Sequence, residues 1–155
     1  MSVKPNCVIL SGVPASGKST YAEGWANMHV RVSSDQVIED LAFEHDMTYS
    51  EMFSYAIKYS NETAIRNFKN ALATGTDVII DRTNLTKKSR RMWIQDAKKA
   101  GYQISCVSFA VPSNLNERLA SRIGKNIPED VIKTMIENYQ KPEYEEGFDL
   151  IIEGN

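Results

Sequence analysis

No stretch of this 155-residue chain approaches the ~20 consecutive apolar residues that span a bilayer. The opening MSVKPN also lacks the apolar segment of a secretory signal. The expectation is therefore a cytoplasmic protein with no membrane partner. Cysteine is scarce: Cys7 and Cys106 stand alone, each inside an apolar run, which reads as two buried free thiols on strands. No Cys/His spacing suggests zinc. A large charge excess is missing too. Eighteen Lys and Arg against 20 Asp and Glu leave a net charge of −2. That argues against a basic chain coating long stretches of nucleic acid, while leaving room for a local basic groove. Internal repeats, low-complexity tracts and linkers are also absent, so residues 1–155 read as one domain with no obligate protein partner evident.

What is present alternates. CVILS (7–11) is a short apolar run between Pro5 and Gly12 and reads as a buried strand. Tyr21, Ala22, Trp25 and Met28 recur at helical spacing from Lys18 onward, and HVRVS (29–33) is a second strand. Asp35–Ala42 reads as helical. A longer amphipathic helix follows, marked by Phe53, Ile57, Ala64, Ile65, Phe68 and Leu72 and terminated at Gly75. DVIID (77–81) is the third strand, and Thr86 caps a helix that Gly101 ends. Tyr102–Val111 is the fourth strand. Pro112 opens a helix that Gly124 breaks, Pro128 starts another, and FDLII (148–152) is the fifth strand. Strand and helix in strict turn predict an α/β domain, a parallel sheet with helices on both faces.

Directly after the first strand comes GVPASGKS (12–19), which fits G-x-x-x-x-G-K-[ST]. Glycines let the backbone wrap closely enough for its N–H groups to point at phosphate oxygens, and the following helix adds its positive end. Lys18 then reaches the β/γ-phosphates, and the Ser19 hydroxyl is a Mg²⁺ ligand. The loop predicts nucleoside triphosphate binding through Gly12, Ala15, Ser16, Gly17, Lys18, Ser19 and Thr20. By itself it does not separate a kinase from a GTPase or a motor.

Weaker signals bear on the phosphate's destination. Asp35 lies just past the second strand, at the edge where parallel sheets bind ligands, and can take the proton of an attacking hydroxyl. The plainer role, an acid at a helix N-terminus, is compatible with it. Asp81 ends the third strand in VIIDRTN and is placed to hold Mg²⁺. Thr83 and Asn84 continue that stretch as substrate contacts or turn caps. Arg118 and Arg122, spaced i, i+4, are either a lid pair over the transferred phosphate or a solvated basic face, and Lys125 is a weaker candidate. Lys87, Lys88, Arg90 and Arg91 form a basic run whose readings are acceptor-phosphate contact, through Lys87 and Arg90, or solvated surface.

In order along the chain, GVPASGKST, SSD, VIIDRTN with its basic helix, RLASR with a following IP, and EGFDLII resemble the kinase domain of 5′-polynucleotide kinases in the P-loop kinase superfamily. The resemblance implies a three-layer P-loop kinase sandwich, a five-stranded parallel sheet with a helical lid at about residues 113–130. It implies ATP and Mg²⁺ as cofactors and a DNA or RNA 5′ end as substrate. It assigns Lys18 and Ser19 to phosphate and Mg²⁺, Asp35 to activation of the 5′-hydroxyl, Asp81 to the acidic position, Arg122 to the lid arginine and Arg118 to its companion. Ser34 and Ile38 stand where members often carry acceptor-side arginines, so that grip must come from elsewhere, with the 87–91 run the first candidate. There is no room in 155 residues for the 3′-phosphatase domain found in many polynucleotide kinases. The leading expectation is an ATP-dependent polynucleotide 5′-hydroxyl kinase. The alternatives are a small-molecule kinase for a nucleoside or sugar, and a non-catalytic nucleotide-binding regulatory module.

Overall fold

Period-two burial builds the layers. The computed structural model describes residues 3–25 and 28–155. In β1 (Asn6–Ser11), Cys7 and Ile9 point to one side of the sheet and Val8 and Leu10 to the other. The first side packs on α3 (Tyr49–Thr74) and α4 (Lys87–Lys99), where Phe68 meets Trp93 edge to face at 4.9 Å between ring centroids. The second side packs on α1 (Lys18–Glu23) through Tyr21 and Ala22. The other strands are β2 (Val30–Val32), β3 (Val78–Ile80), β4 (Gln103–Ser108) and β5 (Leu150–Glu153). Their order is β2-β3-β1-β4-β5, every pairing is parallel, and the registers set Ile9 opposite both Ile80 and Cys106. Cys7 and Cys106 are free and buried, as expected, and burial pushes each thiol up to about 12.

This strand order decides where the site lies. After β1 the chain fills one side of the sheet with β2 and β3, then crosses to the other side for β4 and β5. The reversal opens a crevice at the carboxyl end of β1, where residues 12–19 sit. Among the described residues, no helix is long and apolar enough to cross a membrane.

Element boundaries depart from the periodicity where local chemistry intervenes. The α3 helix begins at Tyr49, ahead of its first apolar marker, because Thr48 and Glu51 form a reciprocal capping box. Thr86 caps α4 as expected, with Ser89 completing its box. The α1 helix stops at Glu23 with Gly24 as its cap and does not continue toward Met28. Ala26 and Asn27 on that expected stretch lie outside the described residues. The β4 strand ends at Ser108. Phe109 still donates its N–H to Ser11 O at 2.8 Å, but its ring turns onto Tyr21, and Ala110 donates its N–H to the Asn155 side chain instead of a strand. Helix α2 (Ser34–Glu44) is capped by Ser33, whose hydroxyl accepts from Gln36 N–H. The remaining helices, α5 (Leu115–Ala120) and α6 (Glu129–Asn138), enclose Val13, Leu85, Leu115 and Ile132 over the loop end of the sheet.

Two residues assigned above to substrate contact belong to the frame. Arg90 is 0% exposed. Its guanidinium donates to both Glu146 carboxylate oxygens (2.8 and 3.0 Å), to Asn84 O (2.8 Å) and to Gln140 O (3.0 Å). Asn84, also buried and with φ +45°, donates its amide to Leu10 O at 2.7 Å. Its own carbonyl accepts from the Ser11 hydroxyl at 2.8 Å. Lys87 is likewise turned away from the crevice, paired with Glu143 at 2.7 Å. Its position at the start of α4 put these cations near the sheet edge in sequence, but the inward face of the helix carries Arg90 into the core. Removing the guanidinium strands a buried carboxylate and two carbonyls, so Arg90→Met is expected to cost about 3–5 kcal/mol of unfolding free energy. Urea denaturation checks this, and an unchanged midpoint would remove the node from the frame.

Candidate active site

The loop from Gly12 to Ser19 takes a shape that only some residues tolerate. Gly12 donates its N–H to Thr83 O at 2.9 Å, and a Cβ at that position would sit 2.7 Å from Ser16 Oγ and 2.9 Å from Phe109 Cβ. Ala15 (φ +64°) and Gly17 (φ +110°) both adopt left-handed backbone, which turns the chain into the first residue of α1. Lys18 is 7% exposed and donates Nζ to Val13 O at 2.7 Å, folding its ammonium over the loop. Burial pulls its pKa down to about 8, against the opposing pull of Asp81 and Asp35.

Beside the loop lies a cleft of about 320 Å³. Ala15, Gly17, Lys18, Ser19 and Thr20 line its floor; Asp35, Asp81 and Thr83 come from the strand ends, and Arg118 and Arg122 from the α5 side. Gly12 and Ser16 support the loop from inside. Two buried polar atoms here lack a hydrogen-bond partner: Ser16 Oγ and Arg122 Nη1. Such atoms are costly unless a ligand satisfies them, and both belong to groups that bind phosphate oxygens. Arg118 reaches the loop itself, its Nη1 donating to Ala15 O at 3.2 Å.

The two acids sit on different sides of this cleft. Asp81 is buried just beyond β3, with its N–H bonded to Val32 O at 2.8 Å. The Ser19 hydroxyl lies 3.4 Å from its Oδ2, so hard oxygen donors of the kind Mg²⁺ prefers stand side by side. Arg31 from β2 grips the same oxygen through Nε (2.9 Å) and Nη2 (2.7 Å). Asp35 stands in the first turn of α2, its side chain 56% exposed. Tyr49 donates its hydroxyl to Asp35 Oδ1 at 2.6 Å, and Lys125 Nζ is 3.3 Å from Oδ2. Burial pushes the Asp35 carboxyl up, but the Lys125 charge, the two hydrogen bonds and Arg122 outweigh it and hold the group below its ordinary value.

Three contributors, Arg31, Tyr49 and Arg82, were not singled out as site residues from the sequence, and Lys125, a weaker lid candidate there, turns out to serve Asp35. Arg31, Tyr49 and Lys125 meet the acids only through tertiary contacts. Arg82 had a signal, its place inside VIIDRTN next to Asp81. It lines the cleft with Nη2 3.3 Å from Asn61 Oδ1 and its guanidinium carbon 5.9 Å from the Trp93 ring centre. A methyl group at residue 12 would crowd Ser16 and Phe109, a kind of overpacking that costs about 1–3 kcal/mol. Gly12→Ala is therefore expected to weaken binding of a fluorescent ATP analogue about tenfold or more while leaving the circular dichroism spectrum intact. Unchanged affinity would mean that the loop does not need its present shape.

Comparison with known proteins agrees with this geometry. The AAA domain family model matches residues 7–142. The L-seryl-tRNA(Sec) kinase of Methanococcus maripaludis is 30% identical over 145 residues, covering 92% of this chain and 56% of the relative. The bifunctional polynucleotide phosphatase/kinase of Schizosaccharomyces pombe is 31% identical over 146 residues, 91% of this chain and 31% of the relative. The chain thus spans about half or less of the curated relatives it matches. A chain in the solved structure of the Pnkp1/Rnl/Hen1 RNA repair complex superposes with a TM-score of 0.69 at 26% identity, over 89% of this chain and 45% of that one. A parallel five-stranded sheet, a phosphate loop at its switch point and a family match over most of the chain lead to one statement: this chain belongs to the AAA domain family and has the P-loop kinase fold.

Proposed function

We propose that the chain is an ATP- and Mg²⁺-dependent kinase acting on a hydroxyl carried by a nucleic acid, with the 5′-hydroxyl of DNA or RNA as the leading acceptor. The observation that carries this reading is the shared cleft: the phosphate loop, Asp35 and Arg122 face the same space of about 320 Å³. A nucleotide switch that transfers nothing to a substrate needs no carboxylate on the far wall. In the names of both curated relatives, the acceptor is a nucleic acid or a group attached to one.

The chemistry follows from the placement. A bond forms between the acceptor oxygen and the γ-phosphorus, the bond from that phosphorus to the β,γ-bridging oxygen breaks, and ADP leaves. The acceptor proton passes to Asp35. A carboxylate of low pKa suits this role, because in a loose transition state the proton moves late and orientation of the hydroxyl matters most. Lys18 and Arg122 line the same cleft, where their role in this reading is to stabilise the negative charge of the transferred group, and Arg122 brings a guanidinium nitrogen with no partner of its own among the described residues. Ser19 and Asp81 would hold Mg²⁺, which when bound neutralises phosphate charge. Helix α5 and the loop to α6 form the lid, at about residues 113–130, that excludes water around the transfer.

Arg82 takes over the acceptor grip first sought in residues 87–91. It is a cation on the cleft wall, stiffened by Trp93 and Asn61, whereas Arg90 and Lys87 are committed elsewhere. Radiolabelled ATP offered with 5′-hydroxyl DNA and RNA oligonucleotides, seryl-tRNA, nucleosides and sugars tests the proposal. Label on the oligonucleotides is the expected result; label confined to nucleosides or sugars would overturn the acceptor class, and label on no alcohol would overturn the kinase reading. Asp35→Asn is expected to keep ATP affinity and lose at least about 100-fold in turnover, the usual reach of a general base. Near-normal turnover would remove Asp35 from the reaction. Arg82→Gln is expected to raise the oligonucleotide KM about tenfold and flatten its salt dependence, with the KM for ATP unchanged. An unchanged salt slope would leave Arg82 as a packing residue.

A further inference from the structure

We infer that Tyr49 and Lys125 are positioning residues that clamp Asp35 from behind, holding its carboxylate toward the cleft and linking it to the loop that carries Arg122. The inference rests on Asp35 being the acceptor-side carboxylate, and it adds residues that neither the phosphate loop nor the acidic motifs include.

The clamp is a closed set of contacts. Lys125 Nζ lies 3.3 Å from Asp35 Oδ2, 3.3 Å from Glu39 Oε1 and 4.3 Å from the centre of the Tyr49 ring. The hydroxyl of that ring donates to Asp35 Oδ1 at 2.6 Å. Each carboxylate oxygen therefore has one donor, and each retains acceptor capacity for a substrate hydroxyl. The exposures differ sharply: the Lys125 side chain is 8% exposed and that of Asp35 56%. An ammonium so buried needs partners, and two carboxylates and an aromatic face supply them. The cation is sealed behind the acid, and the open side of the acid is left to the cleft.

The same contacts join two parts of the site. Lys125 lies three residues beyond Arg122, on a stretch fastened to the start of α3. Ser50 donates its N–H to Gly124 O at 3.0 Å, and Asn126 donates its N–H to Ser50 Oγ at 3.0 Å. Gly124 (φ +74°) sits so close that a Cβ there would lie 2.9 Å from Thr48 Cβ. Movement of Arg122 over the transferred phosphate is thereby tied to the orientation of the acceptor carboxylate.

The groups facing Asp35 are Lys125 and Arg122 from the α5–α6 loop, Tyr49 from α3, Glu39 one turn along α2, Arg82 after β3 and Lys18 from the phosphate loop. Removing Lys125 or the Tyr49 hydroxyl withdraws a group that favours the ionised acid, so the Asp35 titration moves to higher pH in either variant.

The test is a ¹³C NMR titration of the Asp35 carboxyl in the full chain, assigned by its absence in Asp35→Asn. Tyr49→Phe keeps the ring and is expected to raise the midpoint by about half to one pH unit, the size of one hydrogen bond. Lys125→Met is expected to raise it further, and Lys125→Arg to restore it toward the native value. Unmoved midpoints in Tyr49→Phe and Lys125→Met would overturn the clamp. In parallel, the acidic limb of kcat/KM for a 5′-hydroxyl oligonucleotide is expected to follow the NMR midpoints. A midpoint that moves while the limb stays supports the clamp and instead removes Asp35 as proton acceptor, which separates the two failures.

Discussion

Beneath the phosphate loop lies a buried polar node on which the site's position depends. The Asn84 carbonyl accepts from both Ser11 Oγ and Arg90 Nη1, each at 2.8 Å, while the Asn84 amide holds Leu10 O. Arg90 extends the node to Gln140 O and to Glu146, in the short 3₁₀ turn Tyr144–Glu146 that leads into β5. Three regions distant in sequence are thus tied at one point: the end of β1, the segment after β3 with the adjoining helix α4, and the chain before β5. Groups this well satisfied fix geometry more than they add stability, because pairing them in the interior mainly recovers the cost of desolvating them. With this point held, the loop after β1 and Asp81 after β3 keep their spacing across the crevice.

Charge in the cleft is divided between its walls. Lys18, Arg118 and Arg122 crowd the side of the phosphate loop, and burial is the main cause that draws Lys18 down to about 8. Opposite them, each acid carries its own cation, Arg31 for Asp81 and Lys125 for Asp35. Neither acid is then left uncompensated in the free protein. In the proposed reaction Lys125 favours the ionised form of Asp35, while Arg31 orients the Asp81 carboxylate beside Ser19. A net charge of −2 over the chain conceals that arrangement.

Several motif segments acquire different meanings in three dimensions. EGFDLII reads in sequence as part of a kinase signature. In the fold its Glu146 is the partner of Arg90, Gly147 turns at φ +116°, and Phe148 fills the core beside α4. Asn84 in VIIDRTN is a latch between strand ends, whereas Arg82, its unremarked neighbour, reaches the cleft. The basic run at 87–91 divides by helical phase: Arg90 points into the core, Lys87 pairs with Glu143, and Arg91 is exposed. Spacing along one element tells which residues share a face, but not which face meets the sheet.

Local pattern was sufficient for everything that depends on local chemistry. Apolar runs of strand length, the Thr86 cap, the glycine stops and the GVPASGKS loop all act through neighbouring backbone, so the α/β alternation, the parallel sheet and the phosphate loop were legible in the sequence. Arg118 and Arg122 line one cleft with Asp35 and Asp81, and for the two acids this was foreseeable from the rule that parallel strands open on one edge. The partners of the acids were not. Arg31 reaches Asp81 across 50 residues, Lys125 reaches Asp35 across 90, and Tyr49 finds Asp35 because α2 and α3 pack side by side. Those contacts exist only when the helices have docked and the strand order is complete. Sequence determined the phosphate loop, and tertiary structure alone decided which charges surround Asp35 and Asp81, because long-range electrostatics depends on distances that no local pattern contains.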